Sequence, residues 1–177
     1  MGHGPRVLVS AASKYGATAG IAQAIAETLT GHGISTTVLP PAEVDAGTID
    51  SYDAVILGSA VYTGHWLDAA KDLVTRSGSV LTTRPVWLFS SGPVGDPSGR
   101  FARAMREDPP DVAVLLTVIR ARGHRMFAGK LDPENLSLPQ RAALMVFRGM
   151  RGDFRDWTAI RQWAGGIVQQ LAALSPR

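Results

Sequence analysis

The segment Asp53–Ala60, DAVILGSA, limits most strongly what this chain can become. Its apolar residues run on with almost no alternation, so an extended segment there leaves neither side for water. Such a strand has to be covered on two faces, as in a parallel sheet with helices above and below. Residues 6–12 (RVLVSAA) and 85–91 (PVWLFSS) read the same way, and 34–39 (ISTTVL) is rich in β-formers. Helical periods lie between them. Ile21, Ile25 and Leu29 recur at spacing four beside Ala22 and Ala26, and Gly31 and Gly33 end that stripe. The pattern predicts a second helix over about 66–77 and a third over 99–107, stopped by Asp108-Pro109-Pro110. Residues 111–121 fit helix or strand, helix being the better reading. A last strand is expected at 124–131 (HRMFAGKL) and an amphipathic helix at 137–150, carrying Leu138, Ala142, Met145 and Met150. A final helix is expected over about 156–173, with Ile160, Trp163, Ile167 and Leu171 on one face. Strands alternating with helices predict an α/β fold. The expected form is a three-layer, doubly wound, five-stranded parallel sheet in the order 2-1-3-4-5, built as one domain over 1–177.

Composition removes several classes of chemistry. Of 177 residues, 45% are hydrophobic and 19% charged, which excludes a disordered or fibrous chain. Cysteine is absent, so disulfides, thiolate metal sites, iron–sulfur clusters and a cysteine nucleophile are excluded. The longest apolar runs, 112–119 and 142–147, are too short to span a bilayer. The start, MGHGPRVLVSAAS, enters a strand without the features of a secretory leader, so the cytoplasm is the expected location. Charge is uneven: residues 1–98 carry −3 and residues 99–177 carry +6. The basic second half suits an anionic ligand, an acidic partner or an anionic membrane surface, or is simply a solvated face.

In such a sheet, ligands bind outside the carboxyl ends of the strands, where the strand order reverses. Three loops fall there. Ser13-Lys14-Tyr15-Gly16-Ala17-Thr18 joins a strand to a helix, and its backbone N–H groups would face an anion at the positive end of the helix dipole. It is neither a G-x-G-x-x-G turn nor a Walker A loop, which disfavours dinucleotides and ATP. The competing reading is a plain capped turn. Ser59–Trp66 (SAVYTGHW) sets Tyr62, His65 and Trp66 around Gly64; its aromatics suit stacking on a flat ring, with Trp66 equally suited to the core. Ser90–Pro97 (SSGPVGDP) is stiffened by two prolines and rich in backbone donors, and ordinary turn chemistry explains it as well.

The run LVSAASKYGATAGIAQAIAETL resembles the phosphate-loop segment of flavodoxins, and YDAVILGSAVYTGHW and VWLFSSGPVG follow at the spacing of the two flavodoxin loops that flank the flavin ring. The likeness extends over essentially the whole chain. Within that family, GSAVYTGHW, FAGKL, a basic amphipathic stretch and DFRDWTAIRQWA are similar to the menaquinone-dependent protoporphyrinogen dehydrogenase type. The resemblance implies an FMN-binding redox protein. It implies that Ser13, Lys14, Tyr15, Gly16, Ala17 and Thr18 hold the ribityl phosphate. Ala60, Val61, Tyr62, Thr63 and Gly64 would lie against one side of the ring, and Ser91, Gly92, Pro93, Val94 and Gly95 against the other. The backbone of those loops would tune the flavin, which carries the electrons. No catalytic side chain is assigned; His65 is the one candidate, a hydrogen-bonded or solvated role being its alternative.

Several functions fit this reading. The first is an FMN-dependent electron carrier or oxidoreductase acting on a protein redox partner, a quinone or another small molecule. The second is protoporphyrinogen oxidation with a quinone acceptor. There, Arg141, Arg148, Arg151 and Arg155 would meet propionates or lipid headgroups, and Leu138, Leu144, Phe147 and Met150 would enter a peripheral membrane interface. The same apolar residues could instead pack on the sheet or form a homodimer seam. The third is a deazaflavin coenzyme, whose anionic tail suits the basic half. The fourth is a non-redox interaction module. Nucleic-acid binding is disfavoured, since the basic residues are dispersed and no recognition motif is present.

Overall fold

The computed structural model describes residues 4–92, 108–131 and 152–174. The predicted helices at 99–107 and 137–150 lie outside these, as do Pro93, Val94 and Gly95 of the third loop.

The central sheet has five parallel strands: β1 (Arg6–Ala12), β2 (Ser35–Leu39), β3 (Ala54–Tyr62), β5 (Val86–Ser91) and β6 (His124–Phe127). Their spatial order is β2-β1-β3-β5-β6, the predicted doubly wound order, and a short β4 (His65–Trp66) pairs antiparallel with the end of β3. The unbroken apolar runs now have their cause. Val7, Val9, Ala54, Ile56, Trp87 and Phe89 face one layer, built from α1 (Ala17–Gly31) and α5 (Trp157–Leu174). The alternate residues Leu8, Val55, Leu57, Val86 and Leu88 face the other, built from α3 (Asp68–Leu81) and α4 (Pro110–Val118). Each central strand is thus buried twice over, and at about 25 cal/mol per Å² of apolar surface this two-sided burial is the main stabilising term. Gly58 belongs to the same packing: a Cβ there would sit 2.2 Å from the Phe89 ring, so only glycine lets that ring lie across the strand.

The structure corrects three sequence expectations. The stretch 124–131 is not one strand. It leaves the sheet after Phe127, and β7 (Lys130–Leu131) pairs antiparallel with β8 (Gly152–Asp153). The Phe154 N–H donates to the Gly129 carbonyl at 3.2 Å, which secures the new direction. The second helix does not begin at Trp66 but at Asp68, because residues 61–66 form a hairpin. A short α2 (Ala46–Asp50) was not foreseen; Asp45 caps it, accepting from the Thr48 N–H at 2.6 Å. Residues 110–118 are helical, which decides the ambiguous stretch. Among the described residues no helix is long and apolar enough to cross a membrane.

Candidate functional site

The carboxyl ends of β1, β3 and β5 bring the three loops to one edge of the sheet. The first is built almost wholly from backbone. Gly16 takes the left-handed conformation (φ 83°), with open space where a Cβ would stand. The Ser13 Oγ accepts from the Gly16 N–H at 3.1 Å, which tightens the turn. Among the described residues no side chain caps α1, so the N–H groups of its first turn face an incoming acceptor. Thr18 is buried beneath them. An uncapped helix start with a glycine entry is a preorganised anion cradle.

Lys14 and Tyr15 turn toward the second loop. The Lys14 Nζ lies 5.4 Å from the centroids of both Tyr15 and Tyr62, and the two rings meet edge-on at 6.3 Å. Burial, and secondarily Tyr15, raises the pKa of Tyr62, which keeps its phenol protonated at neutral pH. The loop itself is a two-residue hairpin. Thr63 (φ 49°) and Gly64 (φ 83°) both adopt positive φ, as a type I′ turn requires, and Tyr62 pairs with His65 and Val61 with Trp66. Asp111, from the first turn of α4, holds this hairpin: it accepts from the Trp66 N–H at 2.8 Å and from His65 Nδ1 at 3.2 Å. Burial pushes the Asp111 carboxyl up, but these donors and Lys71 together bring it below its usual range.

The third loop begins at Ser90, Ser91 and Gly92, all buried. Gly92 has φ 120° and donates its N–H to the Phe127 carbonyl at 3.0 Å; a Cβ there would stand in contact with the Val61 carbonyl, at 3.4 Å. The second and third loops therefore touch. Behind them runs a chain of hydrogen bonds. Trp66 Nε1 donates to the Ser90 Oγ at 2.7 Å, the Ser90 Oγ lies 2.8 Å from His124 Nε2, and His124 Nδ1 lies 2.8 Å from Asp108 Oδ1. Burial lowers the His124 pKa below 6.5 against the pull of Asp108, so the imidazole is neutral. The carboxylate can only accept, so Nδ1 carries the proton and Nε2 accepts from the Ser90 hydroxyl. This is a Ser-His-Asp sequence of contacts, but Ser90 is 0% exposed and the indole N–H occupies its oxygen. It braces the two loops and presents no nucleophile.

The structure thus places Ser13–Thr18, Ala60–Gly64, Ser91 and Gly92 along one edge. Trp66 is core, at 2% exposure, while its indole N–H and backbone tie the loops together. Sequence reasoning missed Asp108, Asp111 and His124. Asp108 read only as part of a helix stop, and nothing local marks a carboxylate that will meet a histidine 16 or 46 residues away. Among the described residues no group of three or more metal-ligating side chains is assembled.

A family model described as Flavodoxin domain matches residues 8–158. The fold is similar to several solved structures of low sequence identity. A flavodoxin from the domain Archaea aligns with TM-score 0.61 and 11% identity, over 94% of this chain and 99% of that one. Oxidised Flavodoxin 1 from Bacillus cereus aligns with TM-score 0.61 and 16% identity, over 93% and 97%. Rubredoxin oxygen:oxidoreductase from Desulfovibrio gigas aligns with TM-score 0.63 and 17% identity; 97% of this chain is covered but only 37% of that larger one.

Proposed function

This chain belongs to the flavodoxin domain family, and from that premise we propose that it is an FMN-binding redox protein. The observation that carries the reading is the uncapped start of α1 behind Gly16, set at the reversal of strand order and flanked by the Tyr62 hairpin and Gly92. The cradle fits a phosphate: its donors are backbone N–H groups, Gly16 leaves the approach open, and the Ser13 hydroxyl borders it. Residues 13–18 would hold the phosphate. Ala60–Gly64 and Ser91–Gly92, continuing in sequence through Pro93, Val94 and Gly95, would border the ring. Bound FMN supplies one- and two-electron transfer. The protein's part is to bind and shield: the Tyr15–Tyr62 pair, with Lys14 above it, walls the gap between the first two loops, and the Trp66–Ser90–His124–Asp108 chain keeps the other two from drifting apart. The test is a visible spectrum of the purified protein with identification of any released chromophore, followed by titration of the apoprotein with FMN and with deazaflavin coenzyme. Tight FMN binding supports the reading. Failure to bind FMN, or binding of deazaflavin alone, overturns it.

A second, narrower reading is quinone-linked protoporphyrinogen oxidation. The β7–β8 pair supports it, because it sets Leu131 and Gly152, the residues on either side of 132–151 in sequence, opposite each other. That segment's sequence combines Arg141, Arg148 and Arg151 with Leu138, Leu144, Phe147 and Met150, which suits an anionic, partly apolar partner such as a porphyrin at a membrane surface. Turnover of protoporphyrinogen with a menaquinone analogue tests it, and an FMN-loaded protein that gives none rules it out.

A further inference from the structure

Arg155 sits far along the chain from the phosphate turn, yet it is built into it. Its side chain is 13% exposed. One edge of the guanidinium is spent on Asp153: Nε donates to Oδ1 at 2.7 Å and Nη2 to Oδ2 at 2.5 Å. Its Cζ lies over the Trp157 ring, 4.4 Å from the ring centre. The remaining corner, Nη1, reaches the carbonyl of Ala17 in the first turn of α1 at 3.4 Å. Gly20, one turn further along, completes the socket, for a Cβ there would fall 2.6 Å from Nη1. Asp153 is anchored by its place in β8, opposite Lys130. Arg155, first of all, holds the Asp153 carboxyl below its usual range, so the pair stays ionised at neutral pH.

We propose that Arg155 is a positioning residue for the phosphate of the cofactor: it clamps the first turn of α1 in the pose whose free N–H groups receive the anion. This rests on the FMN reading above and deepens it. Only a planar, many-donor cation can satisfy a carboxylate along one edge, stack on an indole and still reach a helix carbonyl, which explains arginine here and not lysine. Asp153 offsets much of the charge, so the effect runs through the geometry of the turn more than through long-range attraction.

The experiment compares dissociation constants for FMN and for riboflavin, which has the same ring and no phosphate, in the full-length wild type, Arg155→Lys, Arg155→Gln and Gly20→Ala. Apoprotein melting is measured alongside. Gly20→Ala separates the roles. Alanine inside a helix is favoured over glycine, but its methyl displaces the guanidinium. We expect Gly20→Ala and Arg155→Gln to weaken FMN about tenfold, as when a hydrogen bond to a charged group is lost, while riboflavin changes less than about twofold. Arg155→Lys should fall between them and the wild type. Equal losses for both ligands, or unchanged FMN binding in Gly20→Ala and Arg155→Gln, would overturn the proposal. Should Arg155→Gln fail to fold, Gly20→Ala and Arg155→Lys decide by the same criteria. A wild type that binds both ligands equally overturns this proposal alone. A wild type that binds neither removes the FMN reading and this proposal with it.

Discussion

The two sides of the ligand edge are held by different means. On one side, the turn from Ser13 to Gly16 is made by its own backbone, with one hydroxyl contact across three residues and an uncapped helix behind it, and a single distant side chain, Arg155, reaches the carbonyl of the next residue, Ala17. On the other, the hairpin at 61–66 and the strand end at Ser90–Gly92 depend on side chains brought from distant parts of the chain: Asp111, His124 and Asp108. The first arrangement leaves donors free, as an anion site must. The second spends the donors of Trp66, Ser90 and His124 inside the protein, as a rigid wall must. Changes on the wall should therefore cost stability, and changes in the turn should cost chiefly binding.

The largest break in that contrast is at Trp66. Replacing it with alanine empties a fully buried indole site and should cost about 3–5 kcal/mol. Trp66→Phe keeps most of the volume but withdraws the N–H from the Ser90 Oγ, for about 1–2 kcal/mol. Denaturant melts of the three proteins measure both steps. If the phenylalanine variant is as stable as the wild type, the hydrogen-bonded chain contributes nothing and the wall is only packing.

Acid should act on the same chain. The His124 pKa is lowered by burial, so the unfolded state takes up a proton below pH 6.5 while the folded state resists. The folded state's advantage is complete above pH 6.5 and is lost as pH falls through the lower folded value. Asp111 and Asp153, whose pKa values are also lowered, withdraw their own contribution only below the ordinary carboxylate value of 3.8, so the two windows are separate. Stability measured from pH 7.5 down to 5 should decline in the wild type and decline less in His124→Gln. A slope that survives the substitution unchanged would assign it to another group.

This difference between the two sides also explains what the sequence discloses. The central strands were legible because two-sided burial forces Val7–Val9, Ala54–Leu57 and Val86–Phe89 to be apolar without interruption. The first turn was legible as a turn because what makes it is local: a glycine, a serine three residues before it, and a helix start. The wall was not, since Asp108, Asp111 and His124 acquire meaning only through contacts across many residues. The split of residues 124–131 was hidden for the same reason: Lys130 and Leu131 find their partners at residues 152–153.

In the turn, the expected effect on stability is smaller. Gly16→Ala forces a Cβ into a left-handed conformation at φ 83° and should cost about 1–2 kcal/mol. Nothing lies within 4 Å of that Cβ, so the cost is conformational and not a clash. The binding effect should exceed it, because the turn must distort in the place where the anion approaches. Comparable loss of riboflavin and FMN affinity would show that the turn serves the ring as well.

The smallest effect should have the opposite sign. Thr63 is β-branched and held at φ 49°, the first central position of a type I′ turn, where asparagine or glycine is preferred. Among the described residues its hydroxyl donates to the neighbouring Tyr62 carbonyl alone, at 2.7 Å, so little is lost with it. Thr63→Gly relieves the left-handed strain but loosens the unfolded chain, leaving a net gain of a few tenths to about 1 kcal/mol; Thr63→Asn avoids part of that entropy and should gain slightly more. The two variants, measured by thermal melts with and without FMN, separate the hairpin's own preference from its duty to the ligand. If both raise the melting temperature of the apoprotein while weakening FMN, then the strained threonine is kept for the cofactor's sake. If both raise it and leave FMN binding intact, the strain serves no purpose at the ring, and the wall is rigid because of Asp111, Trp66 and Ser90 and not because of the turn that joins its strands.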